Sequence, residues 1–253
     1  MEESNMISKE ELQILKRRFV TSLYYLEKEY LQILLLFLLF REYNTAFLFK
    51  GGTCLRHAYH YSRLSEDLDF DTTFKPASIK KAINNTLNQF TGIGLAYKFV
   101  KEELFRKSYT TKIQIKGPLF TGREDSVNSL RLDIGMKNKF KGQWVQINQI
   151  FSDIPQFFVY CMEESEILAE KVRALIMRGK PRDLFDVWVI KNKLKNINKN
   201  LIEKKLNEVG LKYPKSIKFC SEKEFERDLR YLLMSKIDYK QVKKDVEIFL
   251  RKL

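Results

Sequence analysis

The 253-residue chain is long enough to bury a sizeable core, and its 44% hydrophobic and 31% charged residues exclude a largely disordered protein. The formal net charge of +14 allows two interpretations: a lysine-rich surface that keeps the protein in solution, or a surface for an acidic partner such as RNA, a nucleotide or an acidic protein. The most apolar run, Leu31 to Phe40, is far shorter than the ~20 residues of a membrane-spanning helix, so no membrane role is expected.

The cysteines, Cys54, Cys161 and Cys220, lie far apart in the sequence. Their odd number and the lack of a Cys-x-x-Cys pair argue against a disulfide framework and against a zinc site. The two histidines, His57 and His60, lack a third ligand and are not expected to bind a metal. Buried thiols in a reducing compartment fit this pattern, and we expect a cytoplasmic protein.

Hydrophobic periodicity predicts a mixed α/β region followed by a helical region. The first forty residues are predicted to be helical, and alternating apolar and polar residues over 109–116 and 130–136 are typical of strands with one packed face. The further predictions are strand 46–49, helix 54–61, strand 68–71, helix 78–91, strand 144–149 and helices 163–178, 184–193, 201–209, 222–235 and 241–253. The expected fold class is α+β, with an α/β core over residues 1–155 and a helical domain over residues 156–253.

A glycine-containing turn, Lys50-Gly51-Gly52-Thr53, separates the first predicted strand from the helix that follows it. Glycines in such a turn let the main chain approach a phosphate, and amides at the start of the helix can donate hydrogen bonds to it. A Gly-Gly pair at this position is also compatible with a simple tight turn. The turn therefore indicates a phosphate contact only in combination with other features.

The second predicted strand carries three aspartates, Asp67, Asp69 and Asp71, which alternation places on one face while Leu68 and Phe70 enter the core. A row of like charges is unfavourable unless a cation neutralises it, and Mg²⁺ prefers oxygen ligands. The alternative is a solvated acidic edge strand.

Asp133 is the acidic residue on the polar face of the later strand over 130–136. A lone aspartate in a strand is ordinarily a surface residue. Here it can complete a three-carboxylate cage if its strand lies beside the one that carries Asp67 and Asp69. The sequence thus predicts a divalent-cation site formed by these three aspartates.

A charged block follows in the helical region, over residues 163–186. On a helix, Lys171 and Arg178 lie along one face, so their two positive charges point in the same direction. Pro181 interrupts that helix, and Asp183 is expected to cap the next helix through its side chain. The alternative is that these charges form ordinary surface pairs worth ~0–1 kcal/mol.

Together these motifs resemble those of the AbiEii/AbiGii toxin family, within the DNA polymerase β-like nucleotidyltransferase superfamily. The superfamily pattern is a Gly-Gly turn, Asp-x-Asp on a strand and a later apolar-Asp-apolar strand, here Gly51-Gly52-Thr53, Asp67-Leu68-Asp69 and Leu132-Asp133-Ile134. The runs Lys50 to Tyr59, Arg63 to Phe70 and Glu163 to Asp186 are similar to motifs of the family itself. The resemblance covers roughly residues 45–190, whereas residues 1–40 and 195–253 carry nothing specific to the family.

The resemblance implies a polymerase β-like core, a nucleoside triphosphate substrate and Mg²⁺ or Mn²⁺ as the metal. It implies that Asp67, Asp69 and Asp133 bind the metal, with Asp133 ligating one ion or helping to deprotonate the incoming hydroxyl, and that Lys171 and Asp186 act in catalysis. The implied substrate-binding residues are Lys50, Gly51, Gly52, Thr53, Arg63, Ser65, Arg178 and Arg182. For two of these an alternative stays open, since Ser65 can merely begin the strand and Arg63 can pair with Glu66.

The resemblance further implies a toxin of an abortive-infection or type IV toxin–antitoxin system, with an antitoxin as partner and RNA as acceptor, transfer RNA included. The net charge suits RNA, and lysines of the helical region are candidates for its surface or for a solvated face: Lys191, Lys193, Lys195, Lys199, Lys204 and Lys205. Two other functions stay open. One is transfer to a protein or a small molecule, and the other is a catalytically silent module that binds RNA or a partner.

Overall fold

The computed structural model describes residues 6–18, 21–211, 217–233 and 235–253. The chain divides into two compact units, Met1–His60 with Ser65–Cys161 and Tyr61–Leu64 with Met162–Leu253. We call the first the sheet unit and the second the helical unit. Among the described residues, no helix combines the length and the apolar composition that crossing a bilayer requires.

The described part of the sheet unit contains one seven-stranded mixed sheet in the order β3-β4-β5-β2-β1-β7-β6. Its strands are β1 (Phe47–Lys50), β2 (Asp67–Thr72), β3 (Ala96–Phe105), β4 (Ser108–Lys116), β5 (Asn128–Met136), β6 (Gln143–Ile147) and β7 (Phe157–Cys161). Strand β1 pairs with β7, and β2 with β5, in parallel, whereas the other neighbours pair antiparallel. The predicted mixed sheet with flanking helices is confirmed.

The helices of the sheet unit are α1 (Lys9–Lys16), α2 (Leu23–Tyr43), α3 (Gly51–His57) and α4 (Pro76–Gly92). Ser8 and Glu11 form a capping box at the start of α1, and the Ser22 side chain caps α2. Helix α2 is buried over most of its surface, as an apolar composition on all sides favours. The helix predicted for the first forty residues is therefore two helices, and its position Phe19 lies outside the described residues.

The core of the sheet unit is an aromatic cluster around Phe70 of β2. Phe70 is fully buried, and its ring lies 5.5–6.5 Å from those of Phe40, Phe47 and Phe49. Because successive side chains of a strand alternate, burying Phe70 turns its neighbours Asp69 and Asp71 towards the opposite face. The packing of one residue therefore sets the direction of two carboxylates.

Two strands, β3 and β7, were not predicted. Strand β3 lies at an edge of the sheet, and most of its residues are exposed on both faces, so its sequence lacks the alternation of a half-buried strand. Strand β7 is a run of five residues, too short for periodicity to separate a strand from a loop.

The helices of the helical unit are α5 (Glu164–Arg178), α6 (Pro181–Lys193), α7 (Lys199–Asn207), α8 (Glu222–Leu229) and α9 (Tyr239–Arg251). Helix α5 ends at Gly179, whose φ of +59° suits glycine, and α6 begins with Pro181 at its first position.

The helix predicted over 222–235 ends earlier than expected, at Leu229. The carbonyl of Leu232 accepts a hydrogen bond from the amide of Leu64 at 2.8 Å, a contact of the following turn with the short segment Tyr61–Leu64 of the same unit. Position 234 of that prediction lies outside the described residues.

Candidate active site

The strand register brings two of the predicted metal ligands together. Asp69 of β2 lies beside Asp133 of β5, and Asp67 lies beside Arg131. On the other side of β2, Asp69 pairs with Lys50 of β1. Neighbouring strands are about 4.8 Å apart, so Asp69 and Asp133 share one patch of the sheet face.

Gly51 presses the main chain of the turn against Asp69. Its φ is +75°, and a Cβ atom added there would lie 2.1 Å from Oδ2 of Asp69. No other residue fits this position without moving the carboxylate. The close main-chain approach expected of the glycine turn is thus present, and its nearest partner is an aspartate.

Thr53 and Ser65 fasten the turn to the start of β2. Hydrogen bonds join Thr53 Oγ1 to Ser65 Oγ at 2.8 Å and to the main-chain oxygen of Asp67. Both side chains are largely buried. Ser65 thus lies just before β2 and is bonded to Thr53, and its predicted phosphate contact stays a prediction.

Gln32 of α2 holds the segment that leads into β2 through hydrogen bonds. Its Nε2 donates to the main-chain oxygens of Ser65 and Glu66 at 3.0 and 3.1 Å, and its Oε1 lies 3.0 Å from Nε2 of His57. Burial lowers the pKa of His57 to about 4, so the ring is neutral near pH 7 and donates to Gln32. His57 is therefore part of the support for β2.

Arg131 binds the carboxylate of Asp133. Its Nε and Nη2 lie 3.0 and 3.2 Å from the two oxygens, and Thr110 of β4 donates to Oδ1 at 2.7 Å. The hydrogen bonds to Asp133 raise the pKa of Arg131, and the charges of Asp67 and Asp69 add to that effect. Arg131 is thus a protein-supplied counter-ion for the row of aspartates.

Because Arg131 holds Asp133, the three predicted metal ligands are neighbours without forming a cage. In the residues that the structure describes, no three His, Cys, Asp or Glu side chains are grouped so that they could hold a metal ion.

Lys50 and Asp71 form an ion pair at the buried end of the row. Nζ of Lys50 lies 3.1 Å from Oδ1 of Asp71, whose side chain is almost completely buried. Gly135 of β5 makes room for it, since a Cβ atom there would lie 2.4 Å from the same oxygen. Lys50, predicted to bind substrate, therefore neutralises an aspartate of the neighbouring strand.

A chain of ion pairs runs through the helical unit, around the buried carboxylates of Asp183 and Asp186. Arg63 binds both oxygens of Asp186 at 2.9 Å, and Lys171 lies 2.8 Å from Asp186 Oδ2 and 3.5 Å from Asp183 Oδ1. Arg178 then binds both oxygens of Asp183 at 2.6 and 2.9 Å. Lys171 and Arg178, which were expected to point in the same direction, thus both contact Asp183. The ion pair that the structure shows for Arg63 is with Asp186, and the predicted phosphate contact of Arg63 stays a prediction.

The predicted cap at Asp183 is wrong. The N-cap of α6 is Lys180, which makes no side-chain cap hydrogen bond. The carboxylate of Asp183 is fully buried and accepts from Arg178 and Lys171, since two nearby cations attract it more strongly than backbone amides do. Arg182, the last of the predicted phosphate contacts, lies half-buried in the first turn of α6.

The pKa directions show that the charged forms are retained in this chain. Burial raises the pKa of Asp186, but the charges of Arg63 and Lys171 outweigh it, and the pKa lies below its ordinary value. Burial likewise lowers the pKa of Lys171, and Asp186 and Asp183 outweigh that effect and raise it. Each of these buried side chains stays charged because oppositely charged partners lie beside it.

Sequence reasoning missed Arg131, Thr110 and Gln32. Arg131 stands two residues before Asp133, so alternation alone places both on one face. Gln32 is the polar exception in an apolar run, which is a signal of a buried hydrogen bond. Thr110 is recognisable only once β4 is known to lie beside β5.

The family model "Nucleotidyl transferase AbiEii toxin, Type IV TA system" matches residues 33–253, which is most of the chain and includes every motif described above. The chain belongs to the AbiEii family. It is accordingly a nucleotidyltransferase toxin of a type IV toxin–antitoxin system. No curated protein matches the AbiEii chain in sequence.

Two solved structures share the fold of this AbiEii chain. MenT4, a nucleotidyltransferase toxin from Mycobacterium tuberculosis, is 16% identical with a TM-score of 0.68, and the match covers 96% of this chain and 90% of MenT4. JHP933 from Helicobacter pylori is 18% identical with a TM-score of 0.58, and the match covers 92% of each chain.

Replacing Gly51 by alanine is expected to reduce activity more than the same replacement at a control glycine, at a similar loss of stability. Gly51→Ala meets both an unfavourable φ and Asp69, whereas the control Gly94→Ala, at φ +89° with open space around it, meets the unfavourable φ alone. Both variants should lose about 1–3 kcal/mol in urea unfolding. Only Gly51→Ala should lose nucleotide transfer, by at least about tenfold, because Asp69 is displaced. Equal activity of the two variants would show that the contact has no functional consequence.

Replacing Asp186 by asparagine is expected to destabilise the protein by ~3–5 kcal/mol, since Arg63 and Lys171 keep buried charges without the carboxylate that they share. Urea unfolding at pH 7 measures the loss. Asp228→Asn is the control, because its pair with Arg227 is exposed and worth at most ~1 kcal/mol.

The pH dependence of the free energy of unfolding provides a second test of the Asp186 ion pairs. The pKa of Asp186 is lower in the folded state than its ordinary value of 3.8. The stability that the ionised carboxylate contributes is therefore fully present above pH 3.8 and is lost as the pH falls through the folded-state pKa. Wild type should therefore lose more stability than Asp186→Asn below about pH 4. Parallel acid unfolding curves would contradict the ion-pair assignment.

Proposed function

We propose that this chain transfers a nucleotide from a nucleoside triphosphate to an RNA acceptor in a reaction that depends on Mg²⁺ or Mn²⁺. One observation carries the proposal: Asp69 and Asp133 lie side by side on adjacent strands, with the Gly51 main chain against Asp69. This arrangement sets carboxylate oxygens beside a glycine turn, as transfer at a phosphate requires.

The donor set fits a hard divalent cation. Mg²⁺ in phosphate chemistry is commonly bound through one or two carboxylates, with substrate phosphates and waters as its other ligands. Asp67, Asp69 and Asp133 would hold it after Arg131 has left Asp133. When bound, such an ion stabilises charge on the attacking and leaving oxygens.

The residues of the sheet unit then have separate roles. Asp67 and Asp69 bind the cation, and Asp133 ligates it or accepts the proton of the attacking hydroxyl. The Gly51 and Gly52 amides contact the triphosphate, while Thr53 keeps the turn attached to β2. Lys50 neutralises Asp71 and thereby limits the negative charge that an incoming triphosphate meets.

The helical-unit residues are assigned from the family motif. We propose Lys171 and Asp186 as groups that act in catalysis, and Arg63, Arg178 and Arg182 as cations that offset phosphate charge. The ion pairs of Arg63, Lys171 and Arg178 support a rigid orientation of these three cations, since a side chain with two or more hydrogen bonds has few rotamers left.

RNA is the proposed acceptor because of charge. The net charge is +14, and of the lysines proposed as an RNA surface, Lys193, Lys195, Lys199 and Lys204 are exposed. Lys191 is half-buried, and Lys205 is buried against Glu166 and Glu170, so Lys205 is withdrawn from that surface. A transfer RNA end, an antitoxin partner and a cytoplasmic location are part of the same proposal.

Replacing Asp69 by asparagine should abolish transfer and leave the fold intact. The protein is incubated with each labelled nucleoside triphosphate, Mg²⁺ and a cell lysate, and the labelled species is separated by RNase and protease digestion. Label in RNase-sensitive material supports the proposal. The matched control is Asp125→Asn, an exposed aspartate paired with Arg123, which should transfer as wild type does.

Three outcomes of that assay contradict the proposal. Label in protein or in a small molecule would show that the protein is a nucleotidyltransferase with an acceptor other than RNA. Full activity of Asp69→Asn refutes the site. Binding of RNA without any transfer under these conditions supports the silent module.

Arg131→Gln should tighten Mn²⁺ binding, because Arg131 competes with the cation for Asp133. The exposed pair is worth up to ~1 kcal/mol, so a gain of about two- to fivefold is expected. Paramagnetic resonance of unbound Mn²⁺ measures it without any catalysis. The control is Lys112→Gln, which removes one positive charge beside Arg131 and leaves its pair with Asp133 in place. Equal gains in both variants would indicate general electrostatics and not competition.

A further inference from the structure

Three aromatic side chains stand together on strands β6 and β7. Trp144 and Tyr160 are register partners, with ring centroids 5.4 Å apart and planes at 60°. Phe158 lies two residues from Tyr160 and on the same side of β7. Trp144 is 46% and Phe158 56% exposed, which is unusual for side chains of this size. We call Trp144, Phe158 and Tyr160 the aromatic row.

The aromatic row lies on the face of the sheet that carries the aspartates. Phe49 of β1 pairs in parallel with Cys161 of β7, and both are fully buried on the core side. Leu48 and Tyr160, one residue earlier in each strand, therefore point to the other face.

Gly142 gives independent evidence for that orientation. A Cβ atom added there would lie 2.4 Å from Cδ1 of Leu48 and 3.1 Å from Cε1 of Tyr160. Leu48 in turn is the register partner of Asp71. The aspartates and the aromatic row thus lie on the same side of the sheet, with the buried Leu48 between them.

The distance between them suits a short single strand of nucleic acid. Strand β7 is two positions and β6 three positions from β2 in the sheet. At about 4.8 Å per strand, Trp144 and Tyr160 lie on the order of 10–15 Å across the strands from Asp71, and Asp69 lies two residues, or ~7 Å, further along β2.

The charge around the aromatic row is positive. The connection from β5 to β6 contains Lys137, Lys139 and Lys141, all exposed, and the sequence has no acidic residue from 134 to 152.

We propose that the aromatic row binds the unpaired bases of a single-stranded RNA segment, whose end extends to Asp69 and Asp133. Aromatic rings stack on bases of any sequence, and the lysines neutralise the phosphates between them. The assignment rests on the proposed RNA acceptor, and it adds a location and a mode of binding.

Fluorescence of Trp144 tests the stacking directly. The chain contains two tryptophans, so Trp188→Phe leaves Trp144 as the only indole. That variant is titrated with a 12-nucleotide oligoadenylate in EDTA, so that no metal is needed. Stacking predicts saturable quenching that weakens as salt is raised. Equal quenching by a blunt RNA duplex, or none by the single strand, overturns the proposal.

Substitutions in the aromatic row then test whether these residues provide the affinity for single-stranded RNA. Trp144→Ala and Phe158→Ala, checked for native unfolding behaviour, should each weaken binding of a dye-labelled oligoadenylate roughly tenfold, and Trp144→Phe should restore most of it. The matched control is Phe105→Ala, since Phe105 is 54% exposed on β3 at the opposite edge of the sheet. Equal affinities of the Trp144→Ala and Phe105→Ala variants overturn the proposal.

The two proposals fail separately. Asp125→Asn, an exposed position outside both sites, should bind the oligonucleotide and transfer label as wild type does. Binding that depends on Trp144, without label transfer to RNA by wild type, would support the row and refute the proposed reaction. Transfer to RNA that is unchanged in Trp144→Ala and Phe158→Ala would support the proposed reaction and refute the role of the aromatic row.

Discussion

The register of strands β1, β2 and β5 is the constraint on which the rest of the site depends. It places Lys50, Asp69 and Asp133 side by side and sets Asp71 opposite Gly135, the one residue type that leaves room for its carboxylate. A shift of one residue would turn the aspartates into the core and Phe70 out of it. The aromatic cluster around Phe70 therefore stabilises the geometry of the site as well as the fold.

The two units handle concentrated charge in different ways. In the sheet unit Arg131 meets Asp133 at an exposed position, where an ion pair is weak and a ligand can displace it. In the helical unit Arg63, Lys171, Asp183 and Asp186 are buried with their bonds completed, where losing one partner is costly. The first arrangement suits exchange of ions, and the second suits a rigid support.

The sheet face combines chemistries that are separate in the sequence. Carboxylates occupy the centre, a lysine-rich connection leads away from them, and exposed aromatic rings follow on β6 and β7. In the proposed reaction the carboxylates and lysines would meet the phosphates, and the aromatic rings would meet the unpaired bases. The other face carries apolar side chains packed on α2 and α4.

The sequence by itself determined the local features: the helices, the direction of the aspartates against Leu68 and Phe70, the glycine turn, and the family. These follow from alternation, residue type and spacing, which depend on near neighbours. Only the tertiary structure decided that Asp133 lies beside Asp69, that Arg131 holds it, that Asp183 binds Arg178 and does not cap α6, and that β3 and β7 complete the sheet. The position of Asp133 and the completed sheet depend on strand order, and the partner of Asp183 depends on competition between cations and backbone amides, neither of which a local pattern encodes. Alternation places Arg131 and Asp133 on one face, but only the structure shows that they bind each other.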